Sequence, residues 1–165
     1  MKEKAFQECY PEDLSHCYGC GRLNEHGHHI RSYWEGDESV ARLTPEPFHM
    51  AMPGFVFGGL IASLVDCHST GTAAAAAYRR EGRAMDSEPA LRFVTASLHV
   101  DYLQPTPLGV ELTIRGRVED ISERKGVATS TVICEASMPV SRMIKTRPPR
   151  MQVMRSCLLY TSDAA

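Results

Sequence analysis

Nowhere in this chain do apolar residues run far enough to suggest a bilayer crossing. The longest weakly polar stretch, residues 58–78, carries Asp66 and His68 and ends in an alanine run, which makes it a poor membrane span. Excess charge of either sign is also missing, since 18 basic and 20 acidic residues leave a net charge of −2. That balance argues against a polyanion-binding surface, so neither nucleic acid nor membrane is expected as a partner. Aromatic residues are sparse, but 43% of the chain is hydrophobic. That is enough to offset the entropy of ordering one domain. The start, MKEKAFQECYPED, lacks the apolar core of a secretory leader. Cysteines at 9, 17, 20, 67, 134 and 157 are therefore expected as reduced thiols of a cytoplasmic protein.

Periodicity outlines the architecture. Residues 1–28 are polar, contain Pro11 and the Cys17-x-x-Cys20 pair, and read as an irregular N-terminal segment. Short strands are expected at 29–34 and 39–44, joined by the turn signal Glu35-Gly36-Asp37. Pro45, Pro47 and Pro53 then keep the backbone out of regular structure. Leu60, Ile61, Leu64, Val65 and His68 recur at helical spacing, which predicts a helix over about 59–79. Its other face, with Ala62, Asp66, Ser69, Thr70 and Ala73, is small enough for a second backbone to approach closely.

Three runs of period two follow a charged loop. Val94, Ala96, Leu98, Val100 and Tyr102 share one strand face, with Thr95 and Ser97 on the other. Val110, Leu112, Ile114 and Val118 repeat the pattern, as do residues 127–134. One long helix against an antiparallel sheet of five to six strands makes an α+β domain, placed at 29–147. Met143-Ile144 could finish a last strand before Pro148-Pro149. Residues 148–165 have no clear period, resemble translated adapter sequence, and read as a disordered or non-native tail.

The chemistry is expected on the helix. Gly58-Gly59 at its start leave backbone N–H groups free for a ligand oxygen. An acid two turns further on, Asp66, is costly to bury without a reason. The bland alternative is a solvated acid behind a glycine cap. Arg79, Arg80 and Arg83 read as a solvated helix end that could also meet phosphates.

Phe57-Gly58-Gly59, Asp66 at its offset, and the 94–102 strand running into Pro105 and Gly109 resemble a known pattern. It is that of the hotdog-fold thioesterases of the PaaI-like and thioesterase-superfamily-member type, and the likeness covers roughly residues 45–136. Cys17-Tyr18-Gly19-Cys20-Gly21, with Asn24 and Gly27, is similar to an N-terminal motif of some bacterial members. The resemblance implies a hotdog fold assembled as a dimer or tetramer, hydrolysing an acyl-CoA thioester without any cofactor. It implies that the Gly58 N–H polarises the thioester carbonyl and that Asp66 is general base or nucleophile. It also implies that Thr95 helps hold the attacking water. Thr70 matches a further hydroxyl position, and Phe57 and Gly59 would border the substrate. Phe57 stands where the family usually has His, and the 48–53 loop has no Asn, which leaves His49 as the candidate substitute. A non-catalytic acyl-CoA binding module and a hotdog hydratase or dehydratase remain the alternatives.

Two other readings carry less. Cys17-x-x-Cys20 invites zinc, with His16, His26, His28 or His29 as partners, but a zinc ribbon uses two such pairs and only one exists here. The pair therefore reads as a knuckle of reduced thiols, with no metal expected. Asp66 and His68 suggest a hydratase dyad, but residues two apart on a helix point in different directions.

Overall fold

The 23-residue helix α1, Gly58–Arg80, carries the core along most of its length. It starts after Phe57, whose backbone is still extended, and no side chain caps it. At the far end Gly82 adopts φ 65°, the left-handed conformation that closes a helix, and the Arg83 N–H returns to the Tyr78 carbonyl at 2.9 Å. Leu60, Ile61, Leu64 and Val65 are buried with Ile30, Ala41, Leu112 and Ile114. Fully burying an aliphatic side chain contributes about 1.5–3 kcal/mol, so this stripe fixes the helix on the sheet. The computed structural model describes residues 4–121, 125–134 and 152–161.

In chain order the strands are β1 (Ser32–Glu35), β2 (Glu38–Leu43), β3 (Met50–Met52) and β4 (Phe55–Val56), then β5 (Arg92–Val100), β6 (Leu112–Ile121), β7 (Lys125–Cys134) and β8 (Gln152–Thr161). Six of them form one antiparallel sheet in the order β1-β2-β6-β7-β8-β5, while β3 and β4 make a separate hairpin. This is the α+β hotdog arrangement, a sheet wrapped around one long helix. Gly36, at φ 65°, turns the first hairpin where the sequence signal put it.

Several expectations need correcting. The proline-rich 45–56 segment is not wholly irregular, because Pro45 and Pro47 precede the β3–β4 hairpin and Pro53 sits in its turn with Gly54, at φ 87°. The tail is not wholly irregular either: residues 152–161 form β8, paired to β5 on one side and β7 on the other. An irregularity in the β5–β8 register between Thr95 and Ser97 breaks the strict alternation expected of β5. Leu98 and Val100 pack on the core, whereas Val94 is 51% exposed. The small helix face is also divided. Ser69 Oγ lies 2.7 Å from Ser130 Oγ of β7, and Ala73 packs on Ala128. Those two positions are covered by the chain's own sheet, leaving half-buried Ala62, Asp66 and Thr70 on the more open side. The possible strand at Met143-Ile144 lies outside the described residues.

The N-terminal segment packs across the outside of α1. Phe6 and Gln7 are buried in a short 3-10 turn, Phe6–Glu8. A Cβ at Gly71 would come within 3.1 Å of both Gln7 Nε2 and the Tyr10 hydroxyl, so glycine permits the crossing. Behind it His68 is fully buried, with Nδ1 2.9 Å from Ser32 Oγ and Nε2 2.9 Å from Ser39 Oγ. Gln7 completes this network through Ser32, donating to its hydroxyl and accepting its N–H. Burial pulls the His68 pKa down to about 4 and holds the imidazole neutral.

Candidate active site

Asp66 sits on the half-buried side of α1, where β5 crosses it. The Thr95 hydroxyl donates to Asp66 Oδ1 at 2.5 Å. Thr70, one turn further along the helix, donates to the Asp66 carbonyl at 2.9 Å and lies 3.4 Å from Thr95 Oγ1. The structure therefore brings Asp66, Thr70 and Thr95 together. It gives Thr95 a contact with the carboxylate itself, so this hydroxyl fixes one carboxylate oxygen. The three residues line a cavity of about 360 Å³, with Phe93 and Cys67 also on its wall.

The start of α1 faces a different space. Phe57, Gly59 and His49 line a second cavity of about 690 Å³, together with His28 and Ser63. Gly58 and Gly59 are the first helical residues, and their N–H groups have no acceptor within the helix. Tyr102 donates to the Gly58 carbonyl at 2.9 Å, which ties the end of β5 to the helix start. Gly59 has a steric reason as well: a Cβ there would stand 2.3 Å from the Phe57 ring. Phe57 is 57% exposed. His49 accepts the Glu46 N–H on Nδ1 at 3.0 Å, and its ring stands 5.3 Å from that of His28. Burial, then the neighbouring His49 and His29, lower the His28 pKa and favour its neutral form.

Within one chain, then, Asp66 and Gly59 border separate cavities. The eight residue steps from Gly58 to Asp66 correspond to roughly 12 Å along the axis. The helix-end arginines are taken up locally. Arg79 stacks over Trp34 at 3.9 Å, Arg80 donates to the Ile121 carbonyl at 2.9 Å, and Arg83 pairs with Glu81 at 3.0 Å. His68 points away from Asp66 into the buried serine network, so the two form no dyad.

One cluster escaped the sequence reading. Cys67, beside Asp66 on α1, meets the Cys17-x-x-Cys20 loop, and the three Sγ atoms lie within 4.8 Å of one another. Cys17 Sγ is 3.6 Å from Cys67 Sγ. Hydrogen bonds from Cys20 and Cys67, with further ones from the Cys20 and Gly19 backbone, hold the Cys17 thiol well below its usual range. The shared bond with Cys17 pushes Cys20 up to about 12 and raises Cys67 further. Gly19 was the available clue: a Cβ there would lie 2.2 Å from Cys67 Sγ, so only glycine lets the loop come this close to the helix.

A long helix wrapped by an antiparallel sheet, with an acid on its open side and paired glycines at its start, defines a class. The thioesterase superfamily model matches residues 53–140, and the chain belongs to that family. Among its relatives is acyl-coenzyme A thioesterase THEM4 of Xenopus laevis, 40% identical over 86 residues, covering 52% of this chain and 33% of that protein. THEM4 of Rattus norvegicus is 31% identical over 101 residues, covering 61% of this chain and 38% of the relative. The chain thus spans between about a third and two fifths of the length of these curated relatives. A thioesterase superfamily protein from Shewanella loihica is similar in structure, with 38% identity, a TM-score of 0.59, and coverage of 92% of this chain and 96% of the other. The fold also matches the PaaI protein of the E. coli phenylacetic acid degradation operon, at 14% identity and a TM-score of 0.60 over 82% of this chain and 81% of that one.

Proposed function

We propose that this chain is an acyl-CoA thioesterase, hydrolysing the thioester to a free acid and coenzyme A. The observation that carries the reading is the Asp66 carboxylate, fixed by Thr95 in the wall of a half-open cavity. Thioester hydrolysis needs an activated water or a nucleophile, and a donor for the developing oxyanion. Asp66 supplies the first, as general base or as nucleophile, and the Gly58 N–H supplies the second. Supporting the substrate class are the two THEM4 relatives, named as acyl-coenzyme A thioesterases, and a Streptococcus mutans structure of the same fold with acetyl CoA bound.

The reading also calls for a homodimer, or a tetramer built from dimers. Asp66 and Gly58 must flank one carbonyl, and a twofold pair of chains can place Gly58 of one beside Asp66 of the other. Two features favour self-association. β5 ends the six-stranded sheet, and Val94, Tyr102 and Leu103 near it are each about half exposed. Phe57, His49, Gly59 and Thr70 would then contact the acyl group or its thioester. The reaction belongs in the cytoplasm, where thiols stay reduced. Among the described residues no helix is long and apolar enough to cross a membrane.

A panel of short, medium, long and aromatic acyl-CoA esters, read by thiol release, tests this directly. Thiol release on at least one ester is expected. Enoyl-CoA absorbance changing without thiol release would make the protein a hydratase, and binding with neither change would make it a binding module.

A further inference from the structure

Three sulfurs converge where α1 meets the N-terminal segment. Cys17 and Cys20 come from one tight loop, and Cys67 comes from the helix, fifty residues away. Ligands about 2.3 Å from a tetrahedral zinc ion stand about 3.8 Å apart. The 3.6 Å between Cys17 and Cys67 is close to that spacing, and all three sulfurs fall within 4.8 Å of one another. A disulfide would use two of them at about 2.05 Å and leave the third without a role.

The loop is built to hold these sulfurs. The Gly21 N–H returns to the Cys17 carbonyl at 2.7 Å, and a Cβ on Gly21 would fall within 2.6 Å of Ser15 and Cys17 backbone atoms. Gly19 makes room for Cys67 Sγ. The Arg31 guanidinium donates to the Cys20 carbonyl at 3.4 Å. Its positive charge suits a site that would carry net negative charge with three thiolates around a divalent ion. The three cysteines line the Asp66 cavity, so a fourth coordination position can be filled from that cavity by water.

We propose that Cys17, Cys20 and Cys67 bind one zinc ion that clips the N-terminal loop to α1 beside Asp66. The ion displaces the thiol protons to solvent, with no change of oxidation state. Its role is to hold one wall of the Asp66 cavity, and the binding stands whether or not the cavity hydrolyses thioesters. The single cysteine pair in the sequence concealed the site, because the third ligand comes from the helix.

Cobalt(II) serves as the probe, titrated into chelator-treated protein kept reduced under inert gas. Thiolate-to-cobalt charge-transfer bands with tetrahedral d–d bands, saturating at one equivalent and erased by added zinc(II), are expected. Zinc alone should raise the melting temperature. Cys17 is exposed, so Cys17→Ser should fold, and it should weaken cobalt binding by at least about tenfold. Cys67→Ser should do the same. Absence of the charge-transfer bands in the reduced wild type, binding that does not saturate at one equivalent, or unchanged affinity in Cys17→Ser would each overturn the proposal.

Discussion

The Thr95 hydroxyl donates to Asp66 Oδ1 at 2.5 Å, from a position next to the register break in β5. That bond holds Oδ1 and leaves Asp66 Oδ2 as the oxygen for water or for attack. A hydrogen bond to a charged group contributes about 1.5–3 kcal/mol, or about 10–100-fold in rate if it is felt fully at the transition state. Thr95→Val should therefore lower kcat by about that factor with a small change in KM, while Thr95→Ser should retain most of the rate. Equal activity in both variants would remove Thr95 from the mechanism.

Stability should depend on pH through His68. Burial disfavours the charged ring and pulls its folded pKa down to about 4, below the ordinary 6.5 of a histidine. The unfolded chain then binds the proton more readily, so stability is full above about 6.5 and falls as pH drops toward 4. The loss across that window is about 3 kcal/mol. Urea melts at several pH values should show this slope in the wild type and a shallower one in His68→Gln.

Sharing of the site between chains can be read from mixed subunits. Gly58→Pro removes the proposed oxyanion donor at the first helical position, where proline is tolerated. Phe57 already has the extended backbone that a following proline needs, at φ −63° and ψ 124°. Alone, Gly58→Pro and Asp66→Asn should each be inactive and folded. Refolded together, half of randomly paired dimers are mixed, and each mixed dimer keeps one intact site. Activity should then return to about a quarter of wild type. Mixed dimers that form yet stay inactive would place both groups within one chain.

Much of this architecture is legible in the sequence, for identifiable reasons. The helix expected over 59–79 forms at Gly58–Arg80 because an apolar stripe and small residues agree over six turns. Leu112 and Ile114 alternate into the core as expected. Where local and tertiary terms disagree, the pattern misleads. Val94 alternates with Leu98 in sequence but not in space, because the register shifts between them. Ser69 and Ala73 look like a docking face, yet their small size serves contact with β7. Asp66, Thr70 and Thr95 are brought together by the crossing of β5 over α1, whereas Gly59 and His49 face another cavity. Cys67 could not be joined to Cys17 and Cys20 by spacing, since only the crossing of the N-terminal segment over α1 creates that contact.

Asp66→Asn is the most direct test of the catalytic account. The substitution keeps the side-chain volume and the contact with Thr95 while removing the base. General base catalysis contributes typically about 10²–10⁴-fold, so kcat on the best acyl-CoA ester should fall by at least about 10² with an unchanged melting curve. A folded Asp66→Asn protein that releases thiol at the wild-type rate would contradict the account.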